Sequence, residues 1–289
     1  MQFIFDALTN WIKDFLIGSI TNNLNGMFGD VNSRVGGIAD QVGQTPQGWN
    51  PDIFSMVKNL SQTVIVPIAG MILTFVVCYE LISMIVERNN MHDIEIAVFF
   101  QWIAKTVIAI FLVTHTFDIT LAVFDLAQHV VDSSAGVVGG NTNIDISAIT
   151  GDLQNKLKAM ELPALFGLWI QSLLIGLSIK VMSLCIFLVI YGRMLEIYLL
   201  VSIGPIPFST FANREWGEIG KNYLKSLFAL GFQGFLIMVC VAIYAVLVKT
   251  ISVTGDIQSA IWTCAGYTVL LCFSLFKTGS LSKSIFTAH

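Results

Sequence analysis

The sequence predicts an all-α, polytopic membrane protein with about five transmembrane helices and an amphipathic helix at its N-terminus. Hydrophobic residues make up 55% of the 289-residue chain and charged residues only 12%, about half the charged share of a soluble globular domain. Mean hydropathy is +0.76. Several apolar runs reach the roughly 20 residues that a helix needs to cross a bilayer.

Residues 1–24 predict the amphipathic helix. Trp11 and Phe15 lie on its apolar face, while Asp6 and Lys13 occupy the other face, and this spacing is that of a helix with one apolar side. The segment is too polar to cross a membrane. We therefore expect it either to lie in the membrane interface or to pack on the protein's own bundle.

Residues 25–50 are rich in Gly, Asn, Asp and Gln and are expected to form a linker that contains one short helix. The next helix is predicted to begin at Asn50-Pro51, because Asn accepts free amide hydrogens as an N-cap and Pro fits the first helical turn. This helix leads into the first predicted span, 62–86, which should be kinked at Pro67.

Single charged residues lie inside the first two apolar runs. Glu80, near the far end of the first span, is interpreted as a helix-end or snorkelling carboxylate at the interface. Lys105 lies near the middle of the second predicted span, 96–115. It must face protein, water or a carboxylate rather than lipid, and it is therefore a candidate polar site inside the membrane.

An acidic insert, 116–162, follows the second span. Asp118, Asp125 and Asp132 recur every seven residues, which predicts a solvated face on a helix that continues outside the membrane. These carboxylates are too far apart along the helix to converge on one metal ion. A second, short helix is expected at about 146–160.

The longest apolar run extends from Ala164 to Ile203, twice the length that a bilayer needs. Because the run contains no turn signal, we expect one long tilted or protruding helix, with two spans joined near Gly192 as the alternative. The fourth and fifth spans are predicted at 226–248 and 257–276, both without charges.

Three charges interrupt the long run: Lys180, Arg193 and Glu196. The last two are three residues apart on one helix face and can neutralise each other. We expect this pair to be structural, with an inter-subunit contact or a water-filled vestibule as the functional alternative. The segment that follows is predicted to form a helix break and a cytosolic turn, for which six residues are singled out: Pro205, Pro207, Arg214, Trp216, Lys221 and Lys225.

Five spans place the two termini on opposite sides of the membrane. Short basic segments favour the cytoplasm, and basic residues cluster in the 204–225 turn and near the C-terminus. We therefore expect a multi-pass protein of the cytoplasmic (inner) membrane, with its N-terminus outside and its C-terminus inside. The predicted regions are an extracytoplasmic amphipathic helix and linker (1–50), the first two transmembrane helices (51–115), the extracytoplasmic acidic insert (116–162), and the long third helix, cytosolic turn and last two transmembrane helices (163–289).

No sequence motif predicts catalysis or a cofactor. A nucleophile elbow, a phosphate loop and a two-His metal motif are absent, and the five cysteines, all inside apolar runs, are interpreted as packing residues. We therefore expect a protein that is not an enzyme and that needs no cofactor or metal. Embedded charges beside a broken helix are also typical of transporters, so a secondary transporter or small ion channel is the alternative function.

An embedded Arg and acid, a Pro-containing helix end, a short polar turn and a Lys/Tyr-bearing entry to the next span form one pattern. Its residues are Tyr191-Gly192-Arg193-Met194-Leu195-Glu196-Ile197-Tyr198, Gly204-Pro205-Ile206-Pro207-Phe208, Trp216 and Gly220-Lys221-Asn222-Tyr223-Leu224-Lys225-Ser226-Leu227. This pattern resembles the TrbL-type polytopic membrane subunit of type IV secretion and conjugation systems. The resemblance is close over about 190–250 and extends loosely to the whole architecture.

The resemblance implies a core membrane subunit of a conjugative DNA-transfer machine, acting as an oligomeric scaffold or as part of the translocation channel. It implies homo-oligomers in the lipid bilayer and contacts with other membrane subunits, secretion ATPases and the coupling protein. The acidic charge of the insert opposes direct DNA contact, because DNA binding rests on Lys and Arg. Transferred DNA is therefore expected to be contacted at most indirectly.

Overall fold

The computed structural model describes residues 2–87, 96–139, 154–250 and 257–288, and every regular element in these ranges is helical. Besides the numbered helices it contains a π-helical turn at Ser61–Ile65, a helical turn at 154–158 and a 3₁₀ turn at Thr210–Ala212. The numbered helices are α1 (Gln2–Val42), α2 (Pro46–Trp49), α3 (Pro51–Leu60), α4 (Val66–Glu87), α5 (Ile96–Thr114), α6 (Thr116–Gly139), α7 (Leu162–Ile203), α8 (Pro205–Ser209), α9 (Gly217–Lys249) and α10 (Ile257–Ile285).

Four stretches of the described chain are long and apolar enough to cross a membrane: Pro51–Val86, Leu162–Ile203, Gly217–Lys249 and Trp262–Ile285. A fifth span results if α5 and α6, which are bent by 70° at their junction, are counted as one broken span. The prediction of an all-helical, multi-pass membrane protein with about five spans is confirmed.

The described chain divides into two compact units. The first unit comprises Met1–Val42, Val131–Ile190 and Leu236–Thr278, and the second comprises Gly43–Val130, Tyr191–Phe235 and Gly279–His289. Several helices, among them α6, α7 and α9, contribute one part to each unit.

In the first unit, the middle of α1 packs on α7. Asn23 Nδ2 donates a hydrogen bond to Ser172 Oγ at 2.9 Å, and Trp169 Nε1 donates one to Ser19 Oγ at 3.0 Å. The earlier part of α1 is different, because Trp11 is 66% exposed. The amphipathic helix therefore packs on the protein's own bundle through its second half and leaves apolar side chains uncovered on its first half.

The linker predicted for 25–50 is wrong over most of its length, because α1 continues to Val42. Gly and Asn in a helix cost up to about 1 kcal/mol each relative to Ala. Ile38 and Val42 are buried at the far end, and apolar burial of this kind commonly outweighs a weak helix propensity. The short helix expected in this region is α2.

The start of α3 agrees with the prediction. Asn50 Oδ1 accepts a hydrogen bond from the Ile53 amide at 3.0 Å, and Pro51 occupies the first position of the helix. Before Pro67, the structure has the π-helical turn, in which the Val66 amide bonds to Ser61 O. A proline cannot donate to the preceding turn, so the wider turn accommodates it.

The run from Ala164 to Ile203 is one continuous helix, α7, and the two-span alternative is wrong. Of the predicted helix at about 146–160, residues 146–153 lie outside the described residues and 154–158 are helical. The Asp118, Asp125 and Asp132 side chains are exposed on α6. That this helix lies outside the membrane stays a prediction.

In the second unit, α3 to α6 and the adjoining ends of α7 and α9 surround a common apolar core. The short helix α8 lies inside this arrangement and packs mainly on α4 and α5. Members of the core include Leu73, Val76, Ala109, Val113, Phe117, Phe124, Phe208 and Leu227.

Candidate functional site

A buried carboxylate in the second unit joins three separate parts of the chain. Glu80 is 5% exposed. Its Oε1 accepts a hydrogen bond from Lys105 Nζ at 2.7 Å, and its Oε2 accepts bonds from Asn213 Nδ2 at 2.9 Å and the Arg214 amide at 3.2 Å. We call these four residues the Glu80 cluster. They connect α4, α5 and the turn that precedes α9.

The contact between α4 and α5 is reinforced one turn before each charged residue. Trp102 Nε1 donates a hydrogen bond to Val77 O at 3.0 Å. The Lys105 side chain is 35% exposed, whereas that of Glu80 is 6% exposed. The carboxylate therefore depends on protein donors, and an unpaired buried carboxylate would be costly.

Asn213 has two roles in this site. Its Oδ1 accepts hydrogen bonds from the Glu215 and Trp216 amides, both at 2.8 Å, which is the geometry of an N-cap at the start of a helix. Its amide group donates to Glu80 at the same time. One buried side chain thus holds together the turn that leads into α9 and fixes this turn to α4.

Trp216 adds an aromatic contact beside the polar one. Its ring stacks on Tyr79 and Phe75 of α4, with ring centroids 5.1 and 5.8 Å apart and interplanar angles of 10° and 15°. Stacked aromatic pairs contribute about 0.5–1.5 kcal/mol beyond their buried area. The turn is therefore held to α4 by both stacking and hydrogen bonds.

The helix break itself is explained by two prolines. Neither Pro205 nor Pro207 has an amide hydrogen to continue the ladder of α7, and both fit the first turn of α8. Phe208 is fully buried and packs edge-on against Tyr223, with centroids 5.3 Å apart. The predicted break is present, and α8 lies in the core of the unit rather than on a free surface.

Gly204 permits this packing because a side chain would not fit. A Cβ there would lie 2.5 Å from Tyr223 Oη and 2.6 Å from Thr116 Cγ2. The first residue of α6 therefore lies directly against the end of α7. Whether the turn faces the cytosol stays a prediction.

The embedded pair Arg193 and Glu196 makes contacts with other helices. Arg193 is buried, and its guanidinium donates hydrogen bonds to Leu230 O at 2.9 Å and Gly231 O at 3.4 Å, both on α9. Glu196 forms an ion pair with Lys283 of α10. Both residues therefore connect α7 to its neighbours.

The remaining predicted residues are more exposed. Lys180, in the first unit, is exposed on α7. In the second unit, Lys221 is exposed and pairs with Glu218 at 3.3 Å, three residues away on α9, while Lys225 is half-buried. Arg214 contributes its backbone amide to the site and leaves its side chain exposed.

Sequence reasoning missed the centre of this site. Glu80 was interpreted as a helix-end carboxylate, and Asn213 was not singled out. The available signal was charge complementarity, since Glu80 and Lys105 are single opposite charges in successive apolar helices. Nothing local marks Asn213, because Asn is common in any turn.

A comparison with protein-family models supplies the family. Residues 31–205, more than half of the chain, match the model described as TrbL/VirB6 plasmid conjugal transfer like protein. The chain belongs to this family. The resemblance inferred from the sequence is thereby confirmed, and membership implies a membrane subunit of a type IV secretion or conjugation system.

The TrbL/VirB6 match includes Glu80 and Lys105 and ends at Pro205. Most of the pattern from which the resemblance was first inferred lies beyond that end, so the match and the pattern overlap only over about 190–205. Neither the curated proteins nor the solved structures yield a match to the chain.

Proposed function

We propose that this protein is a membrane-embedded core subunit of a conjugative type IV secretion machine, acting as an oligomeric scaffold or as part of the translocation channel. The observation that carries the proposal is the Glu80 cluster, whose ion pair, Glu80 and Lys105, lies on two helices of the family-matched segment. The cluster uses a buried charge to hold the turn before α9 in place, which is what a structural subunit requires. The chain performs no catalysis of its own, and partner ATPases supply the energy.

The contacts of the embedded charges support a scaffold over an ion relay. Lys105 is paired with Glu80, Glu196 is paired with Lys283, and Arg193 donates to helix carbonyls. A transporter needs polar groups that exchange partners with a passing ion. These groups are instead engaged in contacts between helices.

Apolar side chains on outward faces support assembly within the bilayer. Phe100 and Phe111 of α5 and Leu199 of α7 are all more than half exposed. Such surface is unfavourable in water by about 25 cal/mol per Å², and lipid or other protein helices would cover it. We propose that copies of this chain form a homo-oligomer in the cytoplasmic membrane.

Further partners follow from the same proposal. We propose that the subunit contacts other membrane subunits, the secretion ATPases and the coupling protein, with its N-terminus outside and its C-terminus inside. Asp118 and Asp125 present exposed carboxylates on α6, and carboxylates repel phosphate. This supports indirect rather than direct contact with the transferred DNA.

Two measurements test the proposal. Deletion of this chain from its host should abolish conjugative transfer, and the full-length chain supplied in trans should restore it. Electron microscopy of the gently solubilised protein should show a ring or a complex with partners. A monomer that transports a small solute into vesicles, or a deletion strain that transfers DNA normally, would overturn the proposal.

A further inference from the structure

Two thiols from separate helices meet in the first unit. Cys185 lies on α7 and Cys272 on α10, both are half-buried, and neither is in a disulfide in this structure. Their side chains approach each other closely enough to interact, and both line one groove of the unit. Two thiols that face each other across neighbouring helices are the arrangement from which a disulfide can form, because a disulfide needs Cβ atoms about 3.5–4.5 Å apart.

The same two residues line a groove between α7 and α10. The groove has a volume of about 420 Å³, which falls within the size range of small-molecule sites. Its polar side chains are Ser178 and Thr268, and the other residues of its wall are apolar: Leu177, Val181, Val269, Phe273 and Phe276.

Both helices that form the groove are among the candidate membrane spans. Leu177 and Phe273, at the rim, are 59% and 66% exposed. In a bilayer these side chains face hydrocarbon, where charged molecules are excluded. A flat apolar molecule therefore has access to the thiols, and a charged one does not.

Cys264 and Cys240 are placed differently. Cys264 is on the same helix as Cys272, eight residues earlier, and this places the two residues about 12 Å apart along the axis. That separation exceeds the Cα distance of a disulfide. Cys240 lines a different cavity, beside Tyr244 and Leu271.

We propose that Cys185 and Cys272 form a dithiol site that lipid-soluble two-electron oxidants of the quinone class convert to a disulfide. In this reaction the two S–H bonds break and one S–S bond forms. Both electrons and both protons pass to the quinone, which leaves as a hydroquinone. The product ties α7 to α10 covalently and makes this part of the unit sensitive to the redox state of the membrane.

The test uses the full-length protein in lipid nanodiscs and duroquinone, whose fully substituted ring cannot be alkylated by thiols. Titration of denatured samples should show three free thiols after oxidation instead of the five in the sequence. Peptide mapping by mass spectrometry should find 185 and 272 in one cross-linked species. Because the mapping uses the wild-type chain, it does not depend on whether a variant folds.

Variants and a polar oxidant complete the experiment. Cys185→Ser and Cys272→Ser should each abolish the loss of two thiols, whereas Cys240→Ser should retain it. Ferricyanide, which is charged, should react at least ten times more slowly than duroquinone. A different cross-linked pair, an unchanged thiol count in the wild type, or equal rates with both oxidants would overturn the proposal.

Discussion

Glu80 is a carboxylate that this protein removes from solvent inside an apolar helix. Burial of an ion costs several kcal/mol even after relaxation, and this cost is offset by a cation and two N–H donors. From the sequence alone, a carboxylate near the end of an apolar run that snorkels to the interface cannot be distinguished from one that is buried in the protein. The difference arises from Asn213, which is 133 residues away in the chain, so local pattern could not predict the site.

A double-mutant cycle at Glu80 and Lys105 should give strongly non-additive effects. Lys105→Met leaves a buried carboxylate without its cation and should lower the free energy of unfolding by about 3 kcal/mol, the low end of the range for buried pairs, since Lys105 is partly exposed. Glu80→Leu combined with Lys105→Met removes both charges and should cost less than Lys105→Met alone. Thermal unfolding in detergent, calibrated by denaturant titration, measures these differences.

The exposed pair Glu218 and Lys221 provides the matched control. Its side chains are 66% and 61% exposed, and pairs of this kind contribute about 0.2–1 kcal/mol. Lys221→Met should therefore have little effect. Equal losses from Lys105→Met and Lys221→Met would show that the Glu80 cluster does not stabilise the fold.

At the level of single helices, the sequence predicted a helix boundary correctly where one local signal determines it. The Asn50-Pro51 start and the uninterrupted α7 both followed from the presence or absence of such a signal. The length of α1 was not predictable in this way, because it depends on the burial of Ile38 and Val42 against other parts of the chain. The docking of α8 in the core is likewise a tertiary effect.

Two glycines on or beside α7 should respond to alanine in opposite directions. At Gly204 a Cβ would lie 2.5 Å from Tyr223 Oη, so Gly204→Ala should destabilise the protein by about 1–3 kcal/mol through overpacking. At Gly192 nothing lies within 4 Å of a Cβ, so Gly192→Ala should stabilise it by about 0.5–1 kcal/mol. Melting temperatures of the two variants check both signs, and a stabilised Gly204→Ala would contradict the close packing described here.

The turn before α9 should detach when Asn213 becomes acidic. Asn213→Asp keeps the acceptor of the Glu215 and Trp216 amides but loses the donor to Glu80 and places a second carboxylate beside it, which is unfavourable. Hydrogen exchange of the Arg214 amide, which donates to Glu80, should therefore accelerate. Asn59→Asp, at an exposed position of α3 in the same unit, is the control, and equal exchange in the two variants would exclude a docking role for Asn213.

At the scale of the whole molecule, the family assignment and the predicted membrane orientation depend on different parts of the chain. The TrbL/VirB6 match covers residues 31–205, whereas the basic residues that orient the protein lie mostly after Ile203. Composition was enough to predict a multi-pass helical protein, because so few charges cannot solvate a chain of this length. The number of membrane crossings depends on the 70° bend between α5 and α6. No residue pattern in the sequence predicts this bend.

The number of membrane crossings can be determined from the sides of the membrane on which the two termini lie. If α5 and α6 together make one crossing, the protein crosses five times and its termini lie on opposite sides; if they enter and return, it crosses four times and the termini share a side. We expect opposite sides, because the basic residues of the 204–225 turn and of the C-terminal segment favour the cytoplasm, and five crossings then place the N-terminus outside. Alkaline phosphatase, active only outside the cytoplasm, should be active when fused before Met1 and inactive when fused after His289. Activity in both fusions, or in neither, would assign four crossings and make α5 and α6 a re-entrant pair.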